Sequence, residues 1–136
     1  MKENCIFCKI VSGEIPSYKT FEDDKMLAFL DISPATKGHT LIIPKEHHET
    51  MEDIPTEILS RVAVVAKILI LQYDEKLQAD GYNIIHSSKE AAQQEVDHFH
   101  LHLVPRYRDD PIDFWQSKKE HPFEDNVEET HKMLSQ

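Results

Sequence analysis

A chain of 136 residues and 15.8 kDa, 40% of it hydrophobic, has the size of one domain and enough apolar residues for one core, which excludes a disordered segment and leaves no room for a second ordinary domain. Its 25 acidic and 15 basic residues give a formal net charge of −10, so a nucleic-acid polymer is excluded as a general partner and any anionic ligand must be held by local donors. The longest apolar run, residues 62–71, is interrupted by Lys67, too short and too polar to span a bilayer; Met1-Lys2-Glu3-Asn4-Cys5 carries no apolar leader core. A cytoplasmic address without a membrane partner is the expectation.

In chain order, the first feature is Cys5-x-x-Cys8. In a reducing compartment this pair is not a disulfide framework, and metal binding or redox chemistry remain. A redox motif wants a strand before it and a helix opening at it, and residues 1–4 promise neither. Apolar runs bounded by turn formers then predict strands over Tyr18–Phe21, Met26–Leu30 and Thr40–Ile43, a meander broken at Glu22-Asp23-Asp24 and over residues 33–38. From Pro55 to about Ala79 the period becomes helical, opened by Pro55 near the first helical position and closed by Gly81 as the residue after the cap. Leu59, Val62, Ala66, Leu69, Tyr73 and Leu77 form one apolar stripe, and Val64, Ile68 and Leu71 a second. A sheet covers one face; a second subunit or a deeper position within the monomer accounts for the other. The β pattern returns at Tyr82–His86 and Phe99–Val104, and from Pro105 onward the chain turns polar.

The chemistry concentrates in Asp97-His98-Phe99-His100-Leu101-His102-Leu103-Val104-Pro105. On a strand, three His at alternate positions leave one face while Phe99, Leu101 and Leu103 enter the core from the other. Beside a plain exposed polar face, two functional readings fit. The imidazoles can share a metal ion, completed by a ligand from elsewhere. Alternatively a neutral imidazole is a nucleophile toward phosphorus, and its phosphoramidate product is labile enough to hydrolyse.

His98-x-His100-x-His102 followed by Leu103-Val104 resembles the motif of the histidine triad (HIT) family, in its Hint-like bacterial branch. Cys5-Ile6-Phe7-Cys8-Lys9-Ile10, Gly13-Glu14-Ile15-Pro16, Leu27-Ala28-Phe29-Leu30-Asp31-Ile32, Gly38-His39-Thr40-Leu41-Ile42-Ile43-Pro44-Lys45 and Gly81-Tyr82-Asn83-Ile84-Ile85 resemble the family's other landmarks, in order. The similarity runs from about Cys5 to Tyr107. It implies an α+β fold, an antiparallel five-stranded sheet with one long helix, in a single domain over 1–136 with a zinc-bound head at 1–12 and a variable tail at 106–136. It also implies a homodimer.

For function, the resemblance implies a nucleotide hydrolase or transferase acting at the α-phosphate of a purine nucleotide. Adenosine 5′-phosphoramidates are the first substrate class and dinucleoside polyphosphates the second. His100 would be the nucleophile and form a nucleotidyl-histidine; His102 would contact the phosphate oxygens and help protonate the leaving group; His39 would order the triad, whose first member is His98. Asp31 would accept from the ribose hydroxyls, and Ile6, Phe7, Phe29 and Ile32 would form the slot for the base. Near the leaving group, Ser87 stands where the family carries Asn or Gln, and Gln93-Gln94 replaces Gly-Gln, so residue 93 brings a side chain to a position of close backbone approach. Gln94 would remain a donor to phosphate, beside Glu95. In the bacterial members the Cys pair implies a tetrahedral zinc, which maps onto Cys5, Cys8, His47 and His98 and would anchor the head, with no metal in catalysis. A rival from another class is a non-catalytic, zinc-dependent nucleotide-binding or scaffold protein. His48, His86 and His121 have no family role and read as surface residues, Asp109-Asp110 and residues 124–129 as solvated acidic faces, and Phe114-Trp115 as the apolar pair of the tail.

Overall fold

The computed structural model describes residues 2–135. A short helix α1 (Ile6–Val11) leads into strands β1 (Lys19–Glu22), β2 (Met26–Leu30) and β3 (Thr40–Pro44). The long helix α2 (Thr56–Leu77) separates these from β4 (Gly81–Ile85) and β5 (Leu101–Arg106), with a 3₁₀ turn over Glu90–Ala92 between them. Two short helices, α3 (Gln116–Glu120) and α4 (Val127–Leu134), end the chain. The sheet is antiparallel throughout, in the order β1-β2-β3-β5-β4, as the expected α+β architecture requires. No helix among the described residues is long and apolar enough to cross a membrane.

Strand alternation divides the core in two. Met26, Ala28, Ile42, Phe99 and Leu103 point to one face and pack with Val62, Val65, Ala66, Leu69 and Tyr73 of α2. Leu27, Phe29, Leu41 and Ile43 point to the other, where α1 covers them with Phe7, Cys8 and Ile10. Thr40, on the α2 side, is fully buried, and its hydroxyl meets that of Tyr73 at 2.7 Å. Phe99, Leu101 and Leu103 all join the α2 core, so the alternation read from the triad holds.

Several boundaries differ from expectation. β5 starts at Leu101 rather than Phe99 because residues 98 and 99 bond to the end of β3 and the segment after it: the Phe99 amide donates to the His48 carbonyl (2.5 Å) and the His98 ring to that of Pro44 (2.8 Å). The strand continues through Pro105, which is tolerated because β3 pairs with β5 only as far as Leu103. β1 is displaced by one residue, to Lys19–Glu22. Helix α2 ends at Leu77, with Gln78 in the left-handed conformation (φ 55°), so Gly81 is the first residue of β4 and no cap. The second stripe of α2 does not lie deeper in the monomer: Val64 and Leu71 are exposed.

In the tail, Arg106 pairs with Asp110 and lies 5.4 Å from the Phe114 ring, while Trp115 is exposed. Asp110 is therefore no solvated acid; the guanidinium beside it holds its carboxyl well below the usual range.

Candidate active site and metal centre

Phe7 is the hinge between two clusters. It sits between Cys5, which caps α1, and Cys8 within it, buried, edge-on to His98 (5.8 Å between ring centroids), His100 (5.2 Å) and Phe29 (5.6 Å). On one side of it lies a cleft of about 410 Å³, on the other a group of four Cys and His side chains that could hold a metal ion.

The cleft is lined by Ile6, Phe7, Phe29, Asp31, Ile32, Glu95, His100 and His102 among the expected residues, with Ile10, Ile15, Tyr18, Leu41 and Val96 among those not anticipated. Phe7 and Phe29 are buried; Ile6 and Ile32 stand exposed at its rim. Among the described residues no Lys or Arg lines it, so a bound phosphate would be met by N–H donors rather than by fixed cations.

Hydrogen bonds assign the tautomers. The His100 Nδ1 lies 2.8 Å from the His98 carbonyl; a carbonyl only accepts, so Nδ1 carries the proton and Nε2 keeps its lone pair. The Ala35 amide donates to Nδ1 of His39 (3.0 Å), which puts the His39 proton on Nε2, 2.9 Å from Nδ1 of His102. His102 therefore accepts at Nδ1 and holds a free Nε2–H. An acceptor nitrogen and a donor N–H thus stand side by side on rings 5.1 Å apart. Burial keeps both rings neutral, pushing His100 below its ordinary value and His102 down to about 4; His39 is lowered in the same way, although Asp31, 3.7 Å away, opposes the shift.

Other expected residues fall outside the cleft. His39 stands behind His102 as its orienting partner. The His98 ring faces the cysteines, so what it presents to His100 is its carbonyl, not its imidazole. Gln94 does not line the cleft: its amide donates one N–H to the Glu49 carbonyl and accepts from the Lys89 amide, both at 2.7 Å, bracing the 89–94 loop. Ser87 is half-buried and does not line the cleft. Gln93 adopts φ 68° and Lys89 φ 73°, two side-chain-bearing residues in backbone conformations that suit glycine. His48 and His86 are half-buried rather than superficial; only His121 of the three is exposed. Alternation along β4 was the available signal for His86, since Tyr82, four residues earlier and of the same parity, packs against the α2 core.

On the other side of Phe7, the ligand atoms of Cys5, Cys8, His47 and His98 lie within 4.8 Å of one another. The two Nδ1 atoms are 3.2 Å apart, Cys5 Sγ is 3.4 Å from His98 Nδ1, and Cys8 Sγ is 3.4 and 3.6 Å from the Nδ1 atoms of His47 and His98. A tetrahedral zinc with Zn–N about 2.0 Å and Zn–S about 2.3 Å would set these edges near 3.3 and about 3.5 Å, so the donor set fits that ion. His98 donates Nε2–H to Pro44, leaving Nδ1 free to ligate, which is the outer-shell arrangement such an ion favours. The His47 Nε2 is buried without a hydrogen-bond partner. One sequence expectation is corrected: a helix does open at Cys5, whose sulfur caps α1 by accepting the Cys8 amide.

Comparison with known proteins agrees with this arrangement. The HIT domain model matches residues 12–109. The adenosine 5′-monophosphoramidase of Candida albicans is 45% identical over 107 residues, 76% of this chain and 70% of that protein. The crystal structure of a HIT family protein from Bacillus anthracis superposes with a TM-score of 0.83 at 37% identity, covering 99% of this chain and 97% of that one. A zinc-bound histidine triad family protein from Mycobacterium smegmatis gives 0.78 at 44% identity, covering 82% and 81%. A family model spanning most of the chain, joined to the triad, the sheet that carries it and these relatives, means that the chain belongs to the HIT family.

Proposed function

We propose that the protein is a nucleotide hydrolase or transferase that cleaves at the α-phosphate of purine nucleotide derivatives of the adenosine 5′-phosphoramidate type. The observation that carries this reading is the fixed tautomer of His100, with Nδ1–H donated to the His98 carbonyl and an unprotonated Nε2 on a ring that lines the cleft. The relative named an adenosine 5′-monophosphoramidase supports the leaving-group class.

In the first step the Nε2 lone pair of His100 forms a bond to phosphorus, the P–N bond to the leaving amine breaks, and the electron pair leaves with that amine. His102 hydrogen-bonds to the reacting phosphate through its free Nε2–H and assists protonation of the amine. In the second step water attacks phosphorus, the bond to His100 breaks with its electron pair returning to Nε2, the proton released by water replaces the one passed to the amine, and the free imidazole returns with AMP as product. The buried faces of Phe7 and Phe29 suit a flat purine, and Asp31 at the cleft wall suits the ribose hydroxyls.

The residues of the head, Cys5 and Cys8, with His47 and His98, would hold a structural zinc that ties α1, and with it Ile6 and Phe7, to the sheet. No catalytic step needs it. Thiols placed as ligands suit a reducing compartment, in keeping with a cytoplasmic protein. The exposed Val64 and Leu71 of α2 would meet a second copy of the chain.

Mixing the zinc-loaded protein with adenosine 5′-phosphoramidate, quenching in acid and mapping peptides tests the reading. An adenylyl group on His100 that turns over to AMP, survives chelator and is lost in His100→Ala is expected. Dinucleoside polyphosphates serve as the second substrate in the same assay. No adduct and no AMP with either class would leave the non-catalytic zinc-dependent binding protein as the better reading.

A further inference from the structure

The pairing of β4 with β5 ends at the rung Ile85 to His102, and that of β3 with β5 begins at Leu101. His100 lies beyond both ladders. What holds its peptide is a side chain: Nδ1 of His86 stands 3.0 Å from the His100 carbonyl. The carbonyl can only accept, so His86 donates from Nδ1. Its Nε2 then accepts from the Ser88 hydroxyl, whose oxygen takes the Met51 amide at 3.0 Å. Every group in the sequence Met51 N–H, Ser88 O–H, His86 N–H, His100 C=O therefore has a fixed direction. The ring itself is held by stacking on Phe99, with centroids 4.2 Å apart and planes at 20°. Phe99 is fully buried against α2, so this arm ties the peptide of His100 to the rigid side of the fold.

We propose that His86, locked by Ser88, is a positioning residue for His100: it supplies the hydrogen bond that the sheet no longer provides and fixes the peptide carrying the attacking imidazole. The proposal rests on His100 being the nucleophile. His86 touches neither substrate nor reacting atoms, because it is not among the residues lining the cleft; its effect is on the angle and distance of attack. Small errors in the placement of a reacting group are costly in rate and leave ground-state binding intact.

The test compares His86→Phe, which keeps the stack and loses the donor, with His86→Asn, whose amide nitrogen falls where Nδ1 was, and His86→Gln, whose amide lies one bond too far. Steady-state hydrolysis of adenosine 5′-phosphoramidate by the zinc-loaded full chain should show kcat about tenfold lower for Phe and Gln, KM within about twofold, and Asn within about threefold of the parent kcat. Asn no better than Gln, or a change carried by KM, overturns the proposal; this contrast decides even if the Phe variant does not fold. Nitrogen-15 spectra of the His100 ring give a readout independent of turnover. The parent should show a single Nδ1–H tautomer and His86→Gln a mixture, whereas an unchanged tautomer refutes positioning. A parent protein that releases no AMP refutes the proposed activity instead, and leaves the spectra to decide the role of His86.

Discussion

Lys89 to glycine should make the protein more stable. Lys89 sits at φ 73°, ψ 166°, a region that essentially only glycine occupies without cost, and a side chain held there costs of order 1–3 kcal/mol. Against this, glycine adds roughly 0.5–1 kcal/mol of unfolded-chain entropy. The lost pair between Lys89 and Glu52 joins side chains that are 61% and 69% exposed, and such surface pairs contribute about 0–1 kcal/mol. Near the middle of these ranges the net gain is about 1 kcal/mol. With an unfolding entropy of about 2.1 cal/mol/K per residue, that raises Tm by about 3 °C for a chain of this length. Lys89→Ala is the control, since it removes the same ion pair and keeps the unfavourable backbone. Thermal unfolding of the zinc-loaded protein, followed by circular dichroism, should order Tm as Gly above Lys above or equal to Ala. A Gly variant no more stable than the Ala variant would refute the reasoning, because the backbone conformation would then carry no cost.

Three other outcomes are expected. Gly38→Ala should lower Tm by about 4 °C or more, because at φ 91° the new Cβ would meet Leu77 Cδ1 at 2.5 Å and Pro105 Cγ at 3.2 Å; an unchanged melting temperature would contradict this packing. Burial holds His39 and His102 below their ordinary value in the folded state, His102 near 4, so their contribution to stability is complete above about pH 6.5 and is lost as pH falls, when the unfolded chain binds protons that the folded one refuses. Each such imidazole adds up to about 1.4 kcal/mol per pH unit to that slope; urea titrations between pH 7.5 and 5 should give His102→Gln a shallower fall than the parent, and parallel curves would reject the assignment. Removing the metal with a chelator, or by Cys8→Ala, should release α1 and weaken AMP binding about tenfold through loss of Phe7 packing; calorimetric titration showing equal affinity with and without metal would separate the two clusters.

Local pattern located all five strands and the long helix: the strands as short apolar runs between turn formers, with β2 and β3 apolar throughout because both their faces are covered, and α2 by its three-and-four period. It misplaced ends where tertiary partners overrule local pattern. The start of β5 is set by the carbonyls of Pro44 and His48, remote in sequence, and the end of α2 by Gln78, a residue type with little preference for the left-handed region. In the site, His100 and His102 were legible because alternation and identity coincide in one run. Gln94 and His86 differ from expectation in opposite ways: the amide expected at phosphate braces a loop outside the cleft, while the histidine expected at the surface holds the His100 peptide. Alternation could flag that His86 turns inward but not which group it serves, and nothing in spacing marks Gln94, since both partners depend on which backbone groups the fold leaves unpaired.

The strand order divides the sheet into two units, a meander of β1, β2 and β3 and a hairpin of β4 and β5, joined by the three rungs between β3 and β5. His39 immediately precedes the first unit's last strand, His102 lies in the second, and their hydrogen bond crosses the seam. The donor tautomer of His102 is consequently a product of docking. A folding intermediate with both units formed and apart has the whole triad in its sequence order, yet its imidazole protons are free to exchange between ring nitrogens. Where the two units form before they dock, recovery of activity during refolding should lag behind recovery of helical signal.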